Sequence, residues 1–222
     1  LLVDYFDAKF NPTLKAPERE DECRHIENKI KYALNKVNAV AEDRIINQIW
    51  DTINATLRTN FYQIDDEGKS KDYISYKIDC KKVPFMPKPK PFAEIFVFSY
   101  EMEGVHLRGG KVARGGLRWS DRVEDFRTEV LGLVKAQMVK NSVIVPVGSK
   151  GGFVIKHDNT STREEHFEFG KQCYRKYLSG LLDVTDNIIE GKVKKPKNVI
   201  CYDDDDTYLV VAADKGTATF SD

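Results

Sequence analysis

Apolar residues recur at helical spacing through the first part of the chain. In "ECRHIENKIKYALNKV" they fall at Ile26, Ile30, Ala33 and Val37, the steps of three and four that line one face of an α-helix. In "AEDRIINQIWDTINATLRTNFYQ" they fall at Ile45, Ile49, Ile53 and Leu57, four residues apart. Residues 1–63 therefore read as a helical N-terminal segment, with Pro12 and Pro17 in the loop before its first long helix. These stripes, with Trp50 beside them, predict burial against the same domain or against an oligomer partner.

The period then changes. "DDEGKSKD" is a polar turn broken at Gly68. "YISYKID" alternates, which puts Ile74, Tyr76 and Ile78 on one face of a half-buried strand. "KKVPFMPKPKPF" holds Pro84, Pro87, Pro89 and Pro91 and reads as an extended connector, because proline suits neither a helix interior nor a central strand. "FAEIFVFSY" is a strand by its aromatic and β-branched content. "EGVHLRGGKVARGGLRWS" reads as short extended segments broken by turns at two Gly-Gly pairs. Asp121 and Glu124 form a capping box that opens a helix over "RVEDFRTEVLGLVKAQMVKN". "SVIVPV" is a short buried strand, and "TREEHFEFGKQCYRKYLSGLL" a helix with Phe167, Cys173, Tyr174, Tyr177 and Leu181 along one side. "KVKKPKNVICY" leads into an edge strand, and "YLVVAAD" is a last buried strand ending at Asp214. This alternation predicts an α/β domain over 64–222, a mixed β-sheet flanked by helices.

Composition narrows the class. Of the 222 residues, 41% are apolar and 32% charged, which suits a soluble globular domain. Lysine plus arginine equals aspartate plus glutamate, 35 each, which argues against nucleic acid or an anionic membrane as the main partner. No apolar run approaches the roughly 20 residues that span a bilayer. No secretory signal opens the chain. The start at Leu1 rather than methionine reads as a piece of a longer protein. Cys23, Cys80, Cys173 and Cys201 show neither zinc spacing nor a disulfide framework, so reduced thiols in the cytoplasm are expected. The "DDDD" run at 203–206 reads as a solvated loop rather than a metal site.

The candidate chemistry centres on "VPVGSKGGFVI", where Lys150 stands among Gly148, Gly151 and Gly152. The glycines read as a tight turn that another molecule can approach. In open α/β sheets ligands gather at the carboxyl ends of strands. Lys150 follows "SVIVPV" and Asp214 follows "YLVVAA", so both are expected at one crevice. Gln137 and Lys140 lie three apart on one helix face and offer an amide and an ammonium to a carboxylate. Lys140 near Lys150 would lower the latter's pKa and fit it for proton transfer. A phosphate-binding loop is ruled out, since Ile144 and Gly151 stand where it needs a glycine and a Ser or Thr. Taken singly, each residue also has a plain structural reading: a solvated loop lysine, an exposed helix face, a surface turn.

"ARGGLRWSDRVEDFRTEVLGLVKAQMVKNSVIVPVGSKGGFV", followed by "YLVVAADKGTATFSD", resembles the large NAD-specific glutamate dehydrogenases. The smaller hexameric glutamate dehydrogenases are similar at greater distance, with the motifs in the same order. The resemblance covers Gly104 to Val154 and Tyr208 to Asp222, and is weaker before that. It implies that the family's "KGGLR" loop is Arg114-Gly115-Gly116-Leu117-Arg118 here. Its lysine for the substrate's side-chain carboxylate is then Arg114, which can grip a carboxylate with two hydrogen bonds; Lys111 is the rival. It further implies that Gln137 and Lys140 hold the α-carboxylate. Lys150 and Asp214 would be catalytic, and the Ala213 carbonyl would face the substrate amine.

The implied reaction takes L-glutamate, NAD and water to 2-oxoglutarate, ammonium and NADH. Lys150 would activate the water that attacks the imine, and Asp214 would move protons at the nitrogen. No Gly-x-Gly-x-x-Gly stands between a strand and a helix, so the NAD-binding domain is expected to lie outside this chain. The chain then holds the substrate half of the cleft, is inactive alone, and belongs to a homo-oligomer when full-length. The alternative is a non-catalytic amino-acid-sensing or interaction module on the same fold.

Overall fold

A computed structural model describes residues 1–140 and 146–213, with only the backbone of Lys140. The helical start is α1 (Leu2–Phe10), α2 (Ala16–Leu34) and α3 (Val40–Ala55). Pro17 lies inside the first turn of α2, where a missing N–H leaves no bond unmade, rather than in the loop before it. Tyr5, Ala8, Ile26, Ile30 and Trp50 form a core shared by the three helices. Lys9 joins α1 to α3 by donating to the carbonyls of Ile53 and Asn54 at 2.8 and 2.9 Å, a cation at a helix C-terminus. Burial lowers its pKa to about 8. The apolar stripe of α3 does not continue to Leu57, because the chain turns into β1 (Thr56–Thr59) there. The β-branched threonines favour that switch.

Strand β1 opens an antiparallel run with β2 (Tyr73–Ile78), β3 (Ala93–Ser99) and β4 (Met102–Arg108). A short 3₁₀ turn, Cys80–Lys82, begins the proline-rich connector. The run continues through β7 (Val147–Ile155), antiparallel to β4. Two short strands, β5 (Ala113–Arg114) and β6 (Leu117–Trp119), pair with β7 in parallel. The seven-stranded sheet is therefore mixed, as expected. Helix α4 (Phe126–Lys140) covers one face, burying Val130 and Val134 against Val105, Leu107 and Val154. Helix α5 (Arg163–Asp183) covers the other with Cys173, Tyr174, Tyr177 and Leu181. Among the described residues no helix is long and apolar enough to cross a membrane.

Several elements depart from the sequence reading. Helix α4 starts at Phe126, because the Glu129 amide takes the Asp125 carbonyl and an Arg122–Asp125 ion pair holds the preceding turn. Asp121 and Glu124 are exposed and do not cap it. Phe167 is 37% exposed and lies off the buried side of α5. "KVKKPKNVICY" contributes only β9 (Lys192–Lys194), paired with β8 (Asn187–Ile189) in an exposed hairpin. "YLVVAA" forms no ladder; Ala213 makes one isolated parallel bridge to Leu117. Most of "SVIVPV" lies outside the described residues.

The acidic run is not a solvated loop. Asp203 and Asp206 turn inward to Arg58 on β1, Lys77 on β2 and Arg108 on β4, all three cations almost fully buried. Arg58 also grips Asp186 with two donors, at 2.6 and 3.1 Å. Burial would raise the Asp206 carboxyl, but Arg108 and Lys77 outweigh it and hold the group far below the usual carboxylate range.

Beside Arg108, His106 is fully buried, and neither ring nitrogen has a partner at bonding distance among the described residues, although the ring faces the Val210 backbone. Burial, then the Arg108 charge, push its pKa down to about 3. An unfolded chain takes up a proton here near pH 6.5, whereas the folded chain refuses it until about pH 3. Stability should therefore fall as pH drops through that window, by up to about 1.4 kcal/mol per pH unit. The ion pairs of Asp206 add their own loss only below about pH 5, where the unfolded carboxylate begins to protonate. His106→Phe should flatten the slope of urea midpoint against pH in the upper part of the window. An unchanged slope would show that His106 does not carry it.

Candidate functional site

Lys150 is not in a turn. It is the fourth residue of the nine in β7, paired with Leu107 on β4. The glycines around it serve close packing instead. A Cβ on Gly148 would lie 2.6 Å from the Gln137 side chain, and one on Gly152 would meet Val130 at 3.2 Å, so both glycines face α4. One on Gly151 would strike Leu117 and the Tyr177 hydroxyl at 2.5 Å, on the α5 side. Since strand residues alternate between faces, Lys150 shares the α4 face with Gly148 and Gly152.

That placement brings three of the expected residues together. Gln137, near the end of α4, packs over Gly148, two positions before Lys150. Its buried Oε1 has no hydrogen-bond partner among the described residues. Arg114, exposed at the end of β5, pairs with Gly148 in parallel register and so falls on the same face. Gly115 follows at a point of tight approach, where a Cβ would lie 1.6 Å from the Ser149 carbonyl oxygen. Only glycine lets β5 and β6 run this close to β7. The rival Lys111 lines a different recess of about 380 Å³, together with Lys77, Lys82 and Asp203.

Ala213 lies beside β6. The Leu117 amide donates to the Ala212 carbonyl at 2.8 Å, and Ala213 bridges Leu117. Asp214 and the Lys140 side chain lie outside the described residues. Sequence reasoning overlooked Arg108, which donates to the Tyr208 carbonyl at 2.8 Å while its guanidinium grips Asp206. The available signal was a charge at an inward position of the apolar strand "EGVHLRGG".

The close approach at Gly115 has a direct consequence. Gly115→Ala should destabilise the chain by about 1–3 kcal/mol, because the methyl meets backbone that cannot rotate away. Gly132, exposed inside α4 with nothing within 4 Å of its Cβ position, provides the contrast: Gly132→Ala should stabilise by up to about 1 kcal/mol. Thermal unfolding of the two variants measures both, and equal effects would refute the packing account.

Comparison with known proteins adds an independent line. The family model for the bacterial NAD-glutamate dehydrogenase catalytic domain matches residues 29–222. The NAD-specific glutamate dehydrogenase of Pseudomonas aeruginosa is 58% identical over the whole of this chain. Those of Halomonas elongata and Mycobacterium tuberculosis are 54% and 46% identical, again over all of it. The chain spans 14% of the length of each of these relatives.

Proposed function

The chain belongs to the bacterial NAD-glutamate dehydrogenases, within their catalytic domain, and from that membership we propose that it supplies the substrate-binding and catalytic half of an NAD-dependent glutamate dehydrogenase. The reaction is the oxidative deamination of L-glutamate to 2-oxoglutarate and ammonium. The observation that carries this reading is the shared face of Arg114, Gln137 and Lys150 at the start of β7. Two cations and an amide converging on one surface suit a dicarboxylate.

In this reading Gln137 and Lys140 hold the α-carboxylate. The Gln137 amide lacks a partner at its buried oxygen among the described residues and, turned over, offers its N–H groups to a carboxylate. Arg114, with the backbone at Gly115, holds the side-chain carboxylate; the separate recess of Lys111 supports Arg114 over its rival. Lys150 activates water, Asp214 carries protons at the nitrogen, and the Ala213 carbonyl accepts from the substrate amine.

The chain holds no Gly-x-Gly-x-x-Gly between a strand and a helix among the described residues. Helix α5 opens on a capping box filled by its own Thr162 and Glu165, which leaves its N-terminus closed to a pyrophosphate. We therefore place NAD mainly on other parts of the longer protein, so the fragment alone is inactive. A cytoplasmic setting agrees with four free cysteines. Assembly into a homo-oligomer agrees with Ile45 and Ile49, 57% and 46% exposed, which line an open apolar groove of about 750 Å³ with Val3, Phe61 and Phe85.

Lys150→Ala in the full-length protein should abolish glutamate-dependent NADH formation, because this reading gives Lys150 the activation of water. Gln137→Ala and Lys140→Ala should chiefly raise KM for glutamate by one to two decades, the about 1.5–3 kcal/mol of a charged hydrogen bond. Near-normal turnover of Lys150→Ala would overturn the assignment. For the groove, Ile49→Asp should shift the full-length protein to a smaller species in light scattering; an unchanged mass would remove the groove from the interface.

A further inference from the structure

We infer that Arg108 is a positioning residue for the proposed reaction, setting the Ala213 carbonyl through its hold on residues 206–213. The inference rests on the function proposed above. Arg108 stands at the end of β4, 2% exposed, and its guanidinium spans two points of that segment. Its two terminal nitrogens grip both oxygens of Asp206, and one of them also donates to the Tyr208 carbonyl. Lys77 adds a second cation on Asp206 at 2.6 Å. From there the chain passes His106 at Val210 and reaches β6, where Leu117 takes the Ala212 carbonyl. Leu117 in turn pairs with Gly151, the neighbour of Lys150.

The segment between these anchors has no ladder of its own. Its register is therefore fixed at Asp206, which Arg108, Lys77 and Asp186 hold together, at Tyr208, which among the described residues Arg108 alone holds, and at Ala212, which Leu117 holds. Loosening the hold of Arg108 lets residues 208–213 slide, and the carbonyl expected to face the substrate amine slides with them. Arg58 provides a comparison. It is equally buried, but its own bonds go to Val184, Asp186, Asp203 and Asp204; it touches the segment only through Asp186, which bonds the Asp206 main chain, and has no hold on Tyr208.

The test uses the full-length enzyme with Arg108→Lys, Asp206→Asn and Arg58→Gln. Arg108→Lys and Asp206→Asn should lower kcat between about ten- and a hundredfold, as small misplacements of a reacting geometry do. KM for glutamate should hold within about threefold, since the carboxylate contacts lie elsewhere. The deuterium isotope effect on kcat with 2-deuterated L-glutamate should rise, a readout that does not depend on how much of the enzyme is folded. Arg58→Gln should lower the thermal midpoint while leaving the isotope effect unchanged. Should Arg108→Lys fail to fold, the near-isosteric Asp206→Asn carries the same expectation. Losses of kcat that track thermal stability equally in all three variants, with no change in isotope effect, would overturn the inference and leave the proposed function standing. A wild-type enzyme without glutamate-dependent reduction of NAD would sink both.

Discussion

Arg58, Lys77 and Arg108 point from three strands into one space beneath the sheet, and that space must be filled by carboxylates. A buried charge left without its partner costs about 3–5 kcal/mol, far more than a surface ion pair is worth. The fold therefore depends on Asp186, Asp203 and Asp206 arriving from the other end of the chain. Replacing all six by apolar residues of similar volume need not destabilise the domain. What the charges add is selectivity: the path of the segment after α5 is set by where its carboxylates meet these cations. That path delivers Tyr208 to Arg108 and Ala212 to Leu117. The β1 end of the sheet and the candidate site at its β7 end are thus joined by one stretch of chain.

The sequence discloses the parts of this arrangement that obey a local period. The stripes of α2 and α3, the strand "FAEIFVFSY" and the buried side of α5 from Cys173 to Leu181 are all visible from spacing alone. Strand β2 is visible too, but its burial is not. Its alternation marks Ile74, Tyr76 and Ile78 as the inner side, whereas Ser75 and Lys77 are the more deeply buried pair. A lysine counts as polar in any window, and nothing within "YISYKID" announces carboxylates more than a hundred residues away. The same blindness makes "DDDD" look solvated. Charges read as surface until their partners are known, and the partners are set by topology.

The candidate site is partly legible for a different reason. Lys150 and Gln137 stand out by their local setting, but only resemblance joins Arg114 to them, because no spacing rule links a helix end, a strand and a two-residue strand. The structure adds why they can meet. Gly148 has no side chain, so Gln137 lies directly on β7; Gly115 has none, so the loop carrying Arg114 closes on the Ser149 carbonyl. The glycines that suggested a tight turn instead allow dense contact.

This changes what kind of lysine Lys150 is. A lysine in a glycine-rich turn has a mobile backbone, and ordering it would oppose any reaction it served. In β7 the backbone around Lys150 is paired on one side with β4 and on the other with β5 and β6. Functional groups mounted on strands hold their geometry better than those on loops. Gly148 and Gly152, two positions away on the same face, bring Gln137 and Val130 of α4 directly onto β7 on either side of Lys150. The three glycines and the lysine of "VGSKGG" thus serve one end: a rigid backbone, closely packed on both faces, that carries a single amine.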